Sequence, residues 1–270
     1  MLFAALCGAG ISTCYRMAMQ DGMPVAMVAC TRGLVTLVFL VPWLVRAGPS
    51  ALATRRPLVH LARGSAGIFA FMMQLLAVAW LPLADAVALI SARPLWVLPL
   101  AALLLHERVR RNRVVATVIG FVGVMLIAQP TGEFSLGTPA ALAAGLGAGL
   151  VLILFKTLSS TEPATRVVAW YAILSVLFWA PVTLWTWQAP TLFAMAMVVT
   201  GTVFALASDL AASAAAKRCE VGLLAPIEYS QIPASALIGW ALFAEQPGRG
   251  LLAGTVVMFG ATLYLLRRGG

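Results

Sequence analysis

Apolar runs of about 18 to 25 residues recur along the whole chain, and that is the length an α-helix needs to cross the hydrocarbon core of a bilayer. Bounded by charges, Pro and Gly, they predict ten spans near 2–19, 24–45, 58–80, 84–106, 111–128, 139–158, 164–187, 192–216, 220–243 and 249–266. The connections are short; the longest are Arg46 to Pro57 and Gln129 to Gly137, and the second divides the chain almost in half. Only 10% of the 270 residues are charged and 62% are hydrophobic, whereas a soluble domain carries roughly a quarter charged residues. So few charges cannot cover a water-soluble fold of this length, which leaves apolar helices facing lipid as the economical solution.

The formal charge of +9 does not gather in one patch or along one helix face, which removes nucleic acid as its explanation. The basic residues sit between the apolar runs instead. With the first connection taken as external, Arg46, Arg55, Arg56, Arg63, the group from Arg108 to Arg113, Lys156, Arg166, Lys217, Arg218, Arg267 and Arg268 fall on one side, and Arg16 and Arg249 on the other. That asymmetry predicts a multi-pass membrane protein with an even number of spans and both termini cytoplasmic. Trp43, Trp80, Trp185 and Trp187 lie near predicted span ends, where an amphipathic indole prefers to sit. Met1 to Met19 lacks the basic n-region of a cleavable signal, so it is expected to be a span in its own right. Because the chain starts inside an apolar run, a longer natural amino terminus is compatible with it.

Cys7, Cys14, Cys30 and Cys219 show no Cys-x-x-Cys spacing and read as small packing residues, so neither a metal nor a cofactor is expected. His60 and His106 fall at span ends and read as interfacial. The chain has no His-Glu-x-x-His, P-loop or Gly-x-Ser-x-Gly pattern, which disfavours a membrane-embedded enzyme acting, for example, on lipids. Loops this short cannot form a partner-binding domain. The expected partners are a small-molecule metabolite and membrane lipid, and the expected state is a monomer or homodimer.

The two halves repeat. Pro94, Glu107 and Gly123 recur at nearly the same spacing as Pro233, Glu245 and Gly260; Arg16 and Pro24 correspond to Lys156 and Pro163, and Gln74 and Asp85 to Asp209 and Glu220. The fold class expected is therefore all-α and polytopic: ten transmembrane helices as two five-helix repeats, 1–130 and 138–268. An odd number of spans per half makes the second repeat inverted, as in many secondary carriers. The stretch from Ala225 through Pro226, Glu228 and Tyr229 to Pro233, continuing from Gly239 to Pro247, and its counterpart from Ser91 to Pro94 and His106 to Arg108, resemble the paired domains of the drug/metabolite transporter superfamily, EamA type. The resemblance covers nearly the whole chain. Within it, the second-half stretch is similar to the bacterial branch containing riboflavin, S-adenosylmethionine and metallophore carriers. The short amino terminus departs from the family pattern, which often has a cytoplasmic lead and an aromatic residue in the first span.

A carrier of this plan holds its substrate near the midplane between the halves. The charged residues expected near that midplane are Arg32, Arg93, Asp209 and Glu228; at about 2.5 to 3.5 kcal/mol for an Arg or Asp at a helix centre, they must face the bundle or a wet cavity. Arg32 and Arg93 read as a guanidinium pair for a carboxylate or phosphate, with internal pairing to Asp209 or Glu228 as the equal alternative. Glu228 lies between Pro226 and Pro233, where interrupted backbone hydrogen bonding frees carbonyls, and it is the first candidate for proton coupling, with Asp209 second. Gln74, Trp96, Tyr171, Tyr229 and Gln231 are candidate cavity-lining residues, although an ordinary packing or interhelical role accounts for each more readily. Glu107 and Glu245 are expected to anchor loops by pairing with Arg. The function implied is a secondary transporter of a small polar or zwitterionic metabolite, an amino-acid-derived compound or metallophore, exported by proton exchange. The alternative is uptake of riboflavin or an S-adenosylmethionine-like metabolite.

Overall fold

The structure, a computed structural model, describes residues 2–104, 111–128, 135–159, 161–216, 231–246 and 248–268. Among these the chain is helical and contains no strand: α1 (Leu2–Gln20), α2 (Val25–Ala47), a 3-10 turn (Gly48–Leu52), α3 (Pro57–Trp80), α4 (Leu83–Ile90), α5 (Arg93–Leu104), α6 (Arg111–Ala128), α7 (Gly137–Ser159), α8 (Ala164–Trp185), α9 (Leu192–Ala216), α10 (Gln231–Phe243) and α11 (Arg249–Arg268). Among the described residues six stretches are long and apolar enough to cross a membrane: Val25–Ala47, Pro57–Trp80, Leu83–Leu104, Gly137–Ser159, Ala164–Trp185 and Leu192–Asp209. Shorter apolar segments lie within α6, α10 and α11. The span expected at 220–243 is described only from Gln231, because residues 217–230 lie outside the described set.

Local chemistry explains where the helices stop. The run expected as one span at 84–106 is two helices meeting at Ser91 and Ala92. Pro94 has no N–H to return to the Ile90 carbonyl, and the Ser91 hydroxyl donates to the Val87 carbonyl at 2.5 Å, so the backbone re-forms its bonds over a shorter turn there. Pro57 opens α3 within its first turn, where a missing N–H costs nothing.

The helices pack in pairs across the chain: α1 on α9, α3 on α7, α2 on α8 and α6 on α11. Contact between α6 and α11 is backbone against backbone. A Cβ built on Gly254 would stand 2.4 Å from the Gly123 carbonyl oxygen, so only glycine fits. Two apolar clusters form the interior. One centres on α4 with α6, α7, α10 and α11, and the other on Tyr15, Phe71, Trp179 and the first turns of α2. Outside, Val45, Leu58, Leu103, Leu184 and Leu192 stand exposed, the arrangement of a surface that meets lipid.

The connections gather at two opposite ends. At one, the Thr191 hydroxyl donates to the Asp21 carboxylate, and Glu245 reaches Arg16 and the amide of Leu83. At the other, the 48–56 connection meets the 160–163 connection through Arg166, Trp170 and Glu162.

Candidate functional site

The polar interior draws on α1, α2, α3, α5, α8 and α9. Arg63, Gly67, Phe71 and Gln74 lie on one face of α3 by their spacing, and α8 brings Tyr171 against that face. A Cβ on Gly67 would come within 2.7 Å of the Tyr171 ring, so the glycine is what admits the phenol. From α2, Arg32 donates through one Nη to the Tyr171 hydroxyl at 3.2 Å and lays its guanidinium 4.1 Å from the centre of the Phe71 ring. The Arg63 guanidinium covers the Tyr171 ring at 4.6 Å, while its Nε and one Nη are buried without a hydrogen-bond partner. Tyr15 of α1 meets Phe71 edge-on at 5.5 Å, and its hydroxyl lies 3.5 Å from that of Thr202. Thr202 already donates to the Val198 carbonyl, so Tyr15 is the donor.

Asp209 of α9 stands within electrostatic reach of Arg32, Arg63 and Arg93. Three guanidinium groups therefore act on this one carboxylate at electrostatic range. In a bilayer interior such an excess of positive charge is expensive unless an anion or water accompanies it.

Of the residues expected from the sequence, Arg32, Tyr171, Asp209 and Arg93 fall in this neighbourhood, and Gln74 lies about one turn beyond Phe71 on α3. Trp96 does not enter these contacts. It meets Phe121 edge-on at 4.9 Å and fills the space over Gly145 and Gly149 of α7. Gln231 donates to the Ser91 hydroxyl at 2.5 Å, tying the start of α10 to the break between α4 and α5. Glu228 and Tyr229, like Glu107 and His106, lie outside the described residues. Arg63, Phe71 and Tyr15 were missed. Arg63 had been assigned to a cytoplasmic connection, yet it lies six residues after Pro57, roughly 9 Å into the helix.

His60 departs from its interfacial reading. It is buried, with Nε2 2.7 Å from the Glu162 carboxylate and its ring tilted over Trp170 at 5.4 Å, because the α7–α8 connection folds across it. The Thr54 hydroxyl donates to the other carboxylate oxygen. Burial pushes the Glu162 carboxyl up, but the hydrogen bonds from Thr54 and His60, the His60 charge and nearby Arg166 outweigh it and hold the group below the usual carboxylate range. A cavity of about 590 Å³, lined by Thr54, Arg55, Arg56, Glu162 and Arg166, opens beside it.

At the other end Glu245 anchors its loop on an Arg, as expected: its carboxylate is 2.5 Å from Arg16 and accepts from the Leu83 amide at 2.7 Å. Ala244, at φ 54°, takes the left-handed conformation that ends α10 and turns Glu245 back toward α1. Among the described residues no group of three His, Cys, Asp or Glu is placed to hold a metal, and Cys7, Cys14 and Cys30 are buried free thiols.

An all-α bundle with lipid-facing walls and a charged interior drawn from both halves of the chain defines a polytopic membrane transporter. Residues 1–129 match the EamA-like transporter family, and the chain resembles transporters of the drug/metabolite type. It is 28% identical to an S-adenosylmethionine uptake transporter of Rickettsia prowazekii over 88% of this chain and 82% of that one. It is 28% identical to a riboflavin transporter of Brucella anthropi over 92% and 90%, and 24% identical to a pseudopaline exporter of Pseudomonas aeruginosa over 91% and 87%. A crystal structure of a protein 19% identical, covering 98% of each chain at a TM-score of 0.61, shares the fold.

Proposed function

We propose that this chain is a secondary carrier, of the bacterial inner membrane, for a small polar or zwitterionic metabolite bearing a carboxylate or phosphate. The observation that carries this reading is the cluster of Arg32 and Arg63 around Tyr171, with two Arg63 donors unpaired and Asp209 close by. Forked guanidinium donors suit an anionic oxygen pair, and the Phe71 and Tyr171 rings suit a planar or cationic remainder. An amino-acid-derived compound, a metallophore included, has both. In this reading Arg32, Arg93, Gln74, Tyr171, Tyr229, Gln231 and Trp96 serve the substrate, and Asp209 and Glu228 carry the coupling proton.

The carrier works as two inverted five-helix halves, 1–130 and 138–268, within a ten-span plan. Support comes from the packing: exchanging the halves turns the α1–α9 contact into the α7–α3 contact and leaves α2–α8 and α6–α11 paired with each other. Both termini are cytoplasmic, on the side of the 48–56 and 160–163 connections, where the basic residues collect. The direction is export by proton exchange, with the protein acting as monomer or homodimer. Uptake is the second reading, favoured by the names of the rickettsial and Brucella relatives.

The test compares metabolites inside and outside cells with the gene, without it, and with Arg32→Gln. Accumulation of one carboxylate-bearing compound inside the deletion strain, reproduced by Arg32→Gln, supports export through this cluster. Depletion inside the deletion strain turns the reading to uptake. No redistribution in either direction removes the carrier reading.

A further inference from the structure

We propose that His60 and Glu162 form a proton-binding site that also serves as the closure between the two halves at the cytoplasmic end. The inference rests on the alternating-access reading above. It concerns groups about one helical turn from Arg63, the nearest member of the Arg32 cluster.

The geometry supplies each requirement. His60 belongs to α3 in the first half, and Glu162 to the connection leading into α8 in the second, so the 2.7 Å contact spans the two bodies that must separate for this end to open. Both side chains are almost fully shielded, at 0% and 5% exposure, so the contact is not weakened by water as a surface pair would be. An ionised Glu162 only accepts, so Nε2 carries the hydrogen that bonds it. The other ring nitrogen, Nδ1, is buried without a hydrogen-bond partner and is the atom left to take a proton. Water can approach through the cavity that Glu162 lines with Thr54 and Arg166.

Proton uptake forms an N–H bond at Nδ1 and converts a neutral imidazole on a carboxylate into an imidazolium–carboxylate pair. The closure therefore tightens when the proton is on and loosens when it is off. The groups around it set the balance. Thr54 donates to Glu162; Arg166 of α8 attracts that carboxylate while its Nε holds the Ala51 carbonyl at 2.7 Å; the Trp170 ring covers the imidazole; Arg56 donates to the Thr157 carbonyl; and Arg55 lines the cavity. On α3 itself the nearest charge is Arg63, engaged with Tyr171. The cations around Glu162 favour its ionised form, leaving the imidazole to change state. Imidazole is also the side chain that titrates between about pH 5 and 8.

The test needs no substrate. Ser208, beside Asp209 on α9, becomes the sole cysteine in a chain whose native cysteines are replaced by Ala. A membrane-impermeant methanethiosulfonate is added to vesicles of either orientation. The readout is the ratio of labelling rates from the Glu162 end and the Glu245 end, in which the thiol's own pH dependence cancels. The ratio is expected to rise about fivefold from acid to alkaline pH, to be flat with pH in His60→Asn, and to be high at every pH in Glu162→Gln. Thr54→Val, which removes one donor and no charge, raises the ratio while keeping its pH dependence, and stands in for Glu162→Gln should that chain not fold. A wild-type ratio that does not change with pH, or one whose pH dependence survives His60→Asn, overturns the proposal. Labelling from neither end in any chain overturns the alternating-access reading beneath it.

Discussion

The two ends of the bundle are closed by the same kind of group against different cations. At one end Glu245 meets Arg16; at the other Glu162 meets His60. In both cases the carboxylate comes from the second half and its cation from the first. Arginine keeps its charge at every physiological pH, whereas histidine does not. The Arg16–Glu245 pair is thus fixed in charge, while the His60–Glu162 pair can be set by the proton. A carrier with two identical closures would have no chemical reason to open one end before the other; this pair supplies one.

Removing one partner breaks the comparison most severely at the Arg16 end. Glu245→Leu leaves a guanidinium with a 12% exposed side chain facing the Phe243 ring and a single backbone carbonyl. Loss of stability of about 3–5 kcal/mol is expected, as for other buried pairs that lose one member, and it reads directly as a fall in the thermal unfolding midpoint in detergent. A change under about 1 kcal/mol would mean that this end is not held by the ion pair.

Glu162→Gln is expected to lose about 1.5–3 kcal/mol at neutral pH, because hydrogen bonds to a charged acceptor are the strong ones. The folded carboxyl sits below its ordinary range, so the stability it contributes is fully present above the ordinary carboxylate pKa and is lost as pH falls through the folded value. The gap between wild type and Glu162→Gln should therefore hold at neutral pH and narrow below about pH 4. Unfolding curves for both chains across acid pH check the sign. Gly254→Ala, at the glycine junction of α6 and α11, should lose about 1–3 kcal/mol through overpacking without changing the two-sided labelling ratio. A changed ratio would make that junction a third closure rather than a fixed contact.

Span positions were legible where the ends are described, since α9 begins at the expected 192, α3 differs from 58–80 by one residue and α2 from 24–45 by two at most. Apolar run length and helix-breaking residues are local properties, and local properties are legible. The break at Ser91 was not read, although Pro94 was in view, because a proline inside an apolar run can kink, end or merely bend a helix. Arg63 and His60 were misplaced for a different reason. Counting basic residues by side treats the ends of spans as water, but tertiary packing carries α8 and the α7–α8 connection over the first turns of α3. No spacing within α3 announces that Tyr171 and Glu162 arrive there. Glu245 could be foreseen as an anchor because it recurs with Glu107; its partner Arg16, far away in the chain, could not.

Trp170 offers the finest probe of the titratable end. Its indole N–H donates to the Leu52 carbonyl at 3.1 Å, fastening α8 to the 3-10 turn, while its ring lies over His60. Trp170→Phe removes the hydrogen bond and keeps an aromatic face on the imidazole. The expected loss is about 0.5–1.5 kcal/mol, and the labelling ratio should rise by a similar factor at every pH, because no proton is gained or lost by the change. If the rise appears only at low pH, the indole acts through the imidazolium, as a cation–π partner strengthening the protonated state. If it is uniform, the closure consists of two separable parts, a fixed backbone clasp and the protonatable His60–Glu162 pair.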